Sequence, residues 1–387
     1  MKSSRHETFL SIKVLIAAGC TSAWLTSAAP LFDQADVFVS GLGGYAAYRI
    51  PAIETAPDGS LLAFAEARKY GLGDPGFAKQ EIDLVMKRSA DSGRTWSEMK
   101  VIEHAGELWS SANPCTVVDR NTKRVWLFYL RGRPQRNTYS ARPGTDDVGT
   151  FVRSSDDNGV NWSEPIDLTK VARDMTDPKW RTSVVGPGGG MQTRDGRLVV
   201  PVWKFEPWGV CAVVSEDHGR TWRRGELVPG VSGDECQLVE LADGHWLFDI
   251  RQQRGEHRWQ STSSDGGKTW SPPRAGANVT RVACAIERLT LKMNADDQDR
   301  LLWTGPKSPG RSNLVARVSY DEGKTFSRER PIYTGPAAYS DLAILKDGTI
   351  GVLWERGTNS GYQFITFTRF NRDWLETEGA NPPAVPK

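Results

Sequence analysis

The sequence predicts an all-β fold, a six-bladed β-propeller, from two periodic signals that run out of phase and from its composition. The first signal is a box, Ser-x-Asp-x-Gly-x-Thr-Trp, complete at Ser263-Ser264-Asp265-Gly266-Gly267-Lys268-Thr269-Trp270. Close copies start at Ser89, Ser155, Ser215 and Ser319, with Asn161 replacing the Thr in one and Phe326 the Trp in another. The second is a turn followed by an apolar run, and it occurs six times. Its turns are Asp58-Gly59, Asn121-Thr122-Lys123, Asp195-Gly196, Asp243-Gly244, residues 296–299, and Asp347-Gly348. Asp-Gly between apolar runs is a strong hairpin signal. Fifteen Trp and 38 Gly suit many short aromatic-rich strands joined by tight turns.

In chain order, residues 1–29 read as a secretory signal peptide rather than as part of the folded body. Lys2, Arg5 and Lys13 precede an apolar run over 14–25, and Ser27, Ala28 and Ala29 follow it. The run is short for a membrane span, so a secreted or periplasmic protein is expected. Lipoprotein anchoring at Cys20 is the alternative, against which Ala17 stands where a larger aliphatic residue is wanted.

The propeller domain is expected over 30–375, followed by a tail over 376–387. Each unit reads as strand A, turn, strand B, loop, strand C, box, strand D. The B strands are 61–65, 125–130, 198–203, 246–250, 301–304 and 350–354; the C strands are 83–88, 150–153, 210–214, 258–262, 314–318 and 364–368. The sixth unit has Arg372-Asp373-Trp374 where a box belongs, and a strand near 36–40 is expected to close the ring. No helix-period segment competes and no linker suggests a second domain.

The chain carries a net charge of +2, all of it within residues 1–29, so the body is neutral and has no general attraction to nucleic acid or anionic membrane. No later apolar run is long enough to span a bilayer. Cys115, Cys211, Cys236 and Cys284 are too sparse for a disulfide scaffold and lack zinc spacing, so free buried thiols or one bridge are expected.

Strand order alone predicts where function lies. In an antiparallel meander, A starts, B ends and B–C loops share one rim, while the A–B turns and the boxes share the other. At A starts stand Tyr48-Arg49-Ile50-Pro51, Asp234-Glu235-Cys236 and Ala338-Tyr339-Ser340-Asp341. At or after B ends stand Glu66, Arg68, Asp74, Arg251 and Glu355, and one B–C loop supplies Gly310-Arg311-Ser312-Asn313. Three arginines on three units at one rim describe a pocket for a carboxylate or similar planar anion.

These residues resemble the sialidase family of six-bladed propeller glycosidases, and the boxes resemble its Asp boxes. The resemblance covers residues 40–370 and includes Arg49-Ile50-Pro51, Gly186-Pro187-Gly188, Tyr339-Ser340-Asp341-Leu342-Ala343 and Glu355-Arg356-Gly357. It implies an exo-alpha-sialidase acting on sialylated glycans, without cofactor or metal, and a monomer is expected. Residue by residue, it makes Arg49, Arg251 and Arg311 the triad for the sialic acid carboxylate, with Glu355 holding Arg49. It makes Tyr339 the nucleophile, Glu235 its base, and Asp74 the acid/base on the loop after Arg68, which lines the pocket. A neutral tyrosine suits an anomeric carbon that already bears a carboxylate, because an anionic nucleophile would be repelled there.

The alternatives are a trans-sialidase, a hydrolase of another nonulosonic acid, or a sialic-acid-binding lectin, which would not need Tyr339, Glu235 and Asp74 together. Asp83 shares a segment with Asp74 and is a second candidate acid, and Arg68 could instead brace that loop. Asp156-Asp157-Asn158-Gly159 partly resembles a calcium loop but reads better as a box turn. Gly186 to Gly190 reads as a tight loop near the rim. The five His lack ligand spacing; Trp109, Trp180, Trp203 and Trp208 could stack on sugar but are expected mostly as core.

Overall fold

The computed structural model describes residue 1 and residues 29–307 and 309–377. The signal-peptide expectation, Cys20 and most of the tail lie outside the described residues. The chain is all-β in a propeller-like arrangement, with its strands in five antiparallel-dominated sheets. No helix among the described residues is long and apolar enough to cross a membrane.

The predicted strands form where expected, one to three residues longer at most ends. Ala47–Thr55, Leu61–Arg68, Ile82–Ser89 and Lys100–Glu103 make one meander; Ser110–Asp119, Arg124–Gly132, Val148–Ser155 and Ile166–Asp167 make the next. A single parallel pair, Ile82 with Ser110, joins these two, and Gly188–Gly189 adds a ninth strand to the sheet. Two further four-stranded meanders start at Gly233–Glu240 and at Ala285–Thr290. The last sheet is completed by Phe32–Val39, which pairs antiparallel with Phe364–Phe370 and so ties the two ends of the body together. Where the sixth unit lacks a box, Arg372–Glu376 forms a short helix capped by the Asn371 side chain.

One expectation fails in the third unit. Gly186 to Gly190 is not a loop beside the rim; it interrupts the innermost strand, and Gly188–Gly189 pairs in parallel with Cys115 and Thr116. The reason is a close approach: a Cβ on Gly188 would lie 2.1 Å from Gln237 Nε2 and 2.7 Å from Asp341 Oδ1. All four described cysteines are free and buried.

The sheets are held face to face by apolar side chains, with Trp246, Trp303 and Trp354 fully buried. Burying each such side chain stabilises by roughly 1.5–3 kcal/mol. Box aromatics extend this packing between units: Trp96 meets Phe367, Trp162 meets Phe64 and Trp222 meets Phe128, at ring separations of 5.4, 5.9 and 5.0 Å. In the 155–162 box, Asp157 accepts hydrogen bonds from Asn161 and Ser155, as a box turn requires.

Candidate active site

The innermost strands are not regular at the functional rim. Register shifts fall between Arg49 and Ala52, Ala112 and Cys115, Gly233 and Cys236, and Ala337 and Ser340. Such bulges leave residues unpaired and re-aim their side chains. Here they present Arg49, Asn113, Asp234, Glu235 and Tyr339 to a common cavity of about 330 Å³. Ile50 within the first bulge has φ +57°, a conformation rare for a β-branched residue. Its N–H donates to Glu355 Oε1 at 2.8 Å, which accounts for the unusual backbone.

Glu355 is fully buried and serves two strands at once. It accepts from Arg49 Nε at 2.6 Å and Nη2 at 3.4 Å, and its Oε2 accepts from Tyr339 N at 3.1 Å. A buried carboxylate that accepts this many hydrogen bonds holds both neighbours in place.

Tyr339 lies at the meeting point of the cationic groups. Its hydroxyl is 2.8 and 2.7 Å from the two Glu235 oxygens and accepts from Arg251 Nη1 at 3.0 Å. Arg251 Nη1 also pairs directly with Glu235. The Arg49 and Arg311 guanidiniums stand over the Tyr339 ring, 5.3 and 5.4 Å from its centroid. Burial pushes the Tyr339 phenol well above its ordinary range; Glu235 adds to this, while Arg251, Arg311 and Arg49 oppose it. The resting group is therefore a neutral phenol with a proton acceptor in contact.

The three arginines differ in how far they are already neutralised. Arg49 pairs with Glu355 and Arg251 with Glu235, whereas Arg311 makes no ion pair among the described residues. It donates instead to Tyr362 Oη at 2.9 Å and to the Arg281 carbonyl at 3.1 Å. The site thus keeps a cation whose charge is uncompensated, facing a cavity that it shares with Arg49 and Arg251.

Asp74 enters the cavity from the loop after Leu61–Arg68, and its side chain is 66% exposed. Arg68 sits beneath it, buried, with Nη1 donating to Asp74 Oδ1 at 2.9 Å and to Leu72 O at 2.6 Å. Its Nε and Nη2 are held by Glu66, which also accepts from Asn113 N. Arg68 therefore both lines the cavity and braces the loop. Asp83, the other candidate acid, is outside the cavity: its oxygens are taken by Tyr45 Oη at 2.6 Å and His104 Nδ1 at 2.7 Å. Glu81, Asp83 and His104 lie close enough to hold a cation, but Lys69 and Leu108 N already occupy Glu81 and the cluster is satisfied.

Four further contributors complete the site, of which the sequence places only Asp234, at a strand A start, on this rim. Asp234 lies 3.5 Å from Arg251 Nε, and burial pushes it up to about 6, with Arg251 opposing and Glu235 adding. Tyr362 packs its ring 4.2 Å from the Arg49 guanidinium. Arg281 and the 133–147 segment complete the wall, the latter through Arg136, Asn137, Thr138 and Tyr139. Tyr362 and this segment sit in B–C loops, the class of position that strand order flags. Trp203 and Trp208 also line the cavity, whereas Trp109 and Trp180 do not.

Comparison with known proteins agrees with this geometry. Residues 54–352 match the family described as BNR repeat-like domain, which places the chain in that class of repeat protein. It is 34% identical over 379 residues to a sialidase of Micromonospora viridifaciens, covering 89% of this chain and 55% of that protein. It is 33% identical over 329 residues to human Sialidase-4, covering 75% of this chain and 67% of that one. Among solved structures, the Hadza microbial sialidase Hz136 superposes with a TM-score of 0.79 at 27% identity, over 87% of this chain and 68% of that one. The chain belongs to the sialidase family. It spans 55% of the Micromonospora protein and 60% of a Bacteroides fragilis sialidase, less than two thirds of either.

Proposed function

We propose that this chain is an exported, monomeric exo-alpha-sialidase that hydrolyses terminal sialic acids from sialylated glycans with retention. The observation that carries the reading is the contact of Tyr339 Oη with both Glu235 oxygens, under the guanidiniums of Arg49, Arg251 and Arg311. A carboxylate with a strongly hydrogen-bonding cationic cradle is the ligand such a set selects. The attacking group beside that carboxylate is then best left uncharged until it reacts, which a buried phenol provides and an aspartate would not.

In the first half-reaction Tyr339 Oη attacks the anomeric carbon and its proton passes to Glu235, while Asp74 in its acid form gives a proton to the departing glycosidic oxygen. In the second, Asp74 takes a proton from water, whose oxygen displaces tyrosine, and Glu235 returns its proton to the phenolate. Arg49, Arg251 and Arg311 hold the carboxylate throughout, and Glu355 keeps Arg49 in place. Side chains fill every role, so no cofactor is called for. The six-bladed count is supported by reading the nine-stranded sheet as two adjoining four-stranded units, joined by only one residue pair, with Gly188–Gly189 of the third unit added to their edge.

The test combines turnover with trapping. Wild type is expected to release sialic acid from a fluorogenic sialoside, with the alpha anomer as first product by proton NMR. A 2,3-difluoro sialic acid, whose fluoride leaves readily but whose C3 fluorine slows the second step, is expected to label Tyr339 in peptide mass spectrometry. Label on another residue, or a beta first product, would refute the mechanism.

A further inference from the structure

The loop bearing Asp74 is held from its outer side by contacts that the reaction scheme does not use. Asp74, Pro75, Gly76 and Phe77 form a β-turn closed by Phe77 N donating to Asp74 O at 3.0 Å. Proline at the first central position and glycine with φ +71° at the second are what a type II turn requires. The apex of this turn is pressed onto the neighbouring B–C loop. A Cβ on Gly76 would lie 2.0 Å from the Arg136 carbonyl oxygen and 2.8 Å from Asn137 N, so a larger residue must push the two segments apart. Asn137 Nδ2 donates to Gly76 O at 3.4 Å, and the Phe77 and Tyr139 rings meet edge-on at 6.3 Å. The loop that receives the turn is itself braced, with Arg142 and Arg136 both paired to the buried Asp147. Because the Asp74 side chain is two-thirds exposed, its position is set by this backbone seat and by Arg68, not by packing of its own atoms.

We propose that Gly76, seated on the Arg136–Asn137 backbone, is the positioning residue for the acid step of the reaction; this rests on the function proposed above. In that step the proton leaves Asp74 for the glycosidic oxygen as the bond from that oxygen to the anomeric carbon breaks and the bond from Tyr339 Oη forms. A sugar hydroxyl cannot depart without the proton, whereas a nitrophenolate can. Moving the turn by about an ångström therefore penalises one leaving group and spares the other.

The experiment measures kcat/KM, which reports steps up to departure of the leaving group, for wild type and Gly76→Ala on sialyllactose and on a 4-nitrophenyl sialoside. The expected loss is about 30-fold or more on sialyllactose and less than about 3-fold on the nitrophenyl substrate. Azide, a nucleophile that needs no general base, is expected to restore kcat on the nitrophenyl substrate. Equal losses on both substrates, or no loss on either, would overturn the assignment. Thermal unfolding checks that the variant folds. Should it not, Asn137→Asp keeps the acceptor for Tyr139 N and Ser140 N but sets a carboxylate oxygen against Gly76 O. It is expected to give the same split at about 5-fold, and its absence would again overturn the assignment. A wild type that cleaves neither sialoside would instead overturn the function on which the assignment rests.

Discussion

The two rims of this molecule solve the same problem, satisfying polar groups beside an apolar core, in opposite ways. At the box rim the solution is local. In all five boxes the Ser hydroxyl donates to the Asp two residues on at 2.8–2.9 Å, and that Asp accepts from the Thr or Asn four residues further. At the other rim the pairs that knit one unit to another are remote in sequence: Arg49 with Glu355 is 306 residues apart, Tyr339 with Glu235 104, and Arg251 with Tyr339 88, with Arg68 and its partners Glu66 and Asp74 as the local exception. A turn that satisfies itself can be copied into each unit. A constellation whose members come from different strands exists once, where those strands converge, and that is why it escapes the repeat.

Substitutions at the two rims should therefore separate activity from stability. The largest effect is expected from Tyr339→Phe, which removes the oxygen proposed to attack but little volume. Its kcat on a sialoside should fall about 10³-fold or more, with Tm nearly unchanged. Comparable activity in the variant would break the contrast at its centre. Glu355→Ala comes next and acts on the fold as well as the chemistry. It leaves Arg49 charged and buried and strips acceptors from Ile50 N and Tyr339 N, so urea denaturation should show a loss of about 3–5 kcal/mol.

Arg311→Ala is expected to be milder, because Arg311 has no internal carboxylate to leave stranded. KM for a sialoside should rise about 10- to 100-fold, corresponding to one lost charge-assisted contact, while Tm moves little. An unchanged KM would remove Arg311 from the anion site.

Smallest of all should be Asp265→Asn at the box rim. Hydrogen bonds from Thr269 hold the Asp265 carboxyl at about 2, below its ordinary value of 3.8. A folded-state value that is lowered stabilises the protein above the ordinary value, and the contribution fades as pH falls toward 2. Wild type should thus exceed the variant by only about 1–3 °C in Tm at neutral pH, the gap closing near pH 2, with kcat/KM equal throughout. A large loss of activity would show that the two rims are coupled.

Legibility in the amino-acid sequence follows the same division. The strands, boxes and closing strand are legible because period-2 runs, Asp-Gly turns and the Ser-x-Asp pattern are carried by neighbouring residues. Arg49, Glu235, Arg251, Tyr339 and Glu355 are legible as rim residues because strand direction follows from strand order. Tyr362 and Arg281 are not, since irregular connections carry no period that says which way a side chain turns. Gly186 to Gly190 mislead for a related reason: glycines signal a tight backbone, and only the packing of Gln237 and Asp341 shows what is being approached. The Asp74-Pro75-Gly76 turn has a readable local signal, but the Arg136 carbonyl against which it rests has none.

By itself the sequence determined the repeat unit, the direction of each strand and the inventory of charged groups at one rim, because each depends on contacts within a few residues. Only the tertiary structure decided that Glu355 serves both Arg49 and Tyr339, that bulges turn Arg49, Glu235 and Tyr339 inward, and that Ile50 accepts a positive φ. These arrangements depend on strands from opposite ends of the chain packing together. A buried charge finds its partner only once that packing has removed it from water.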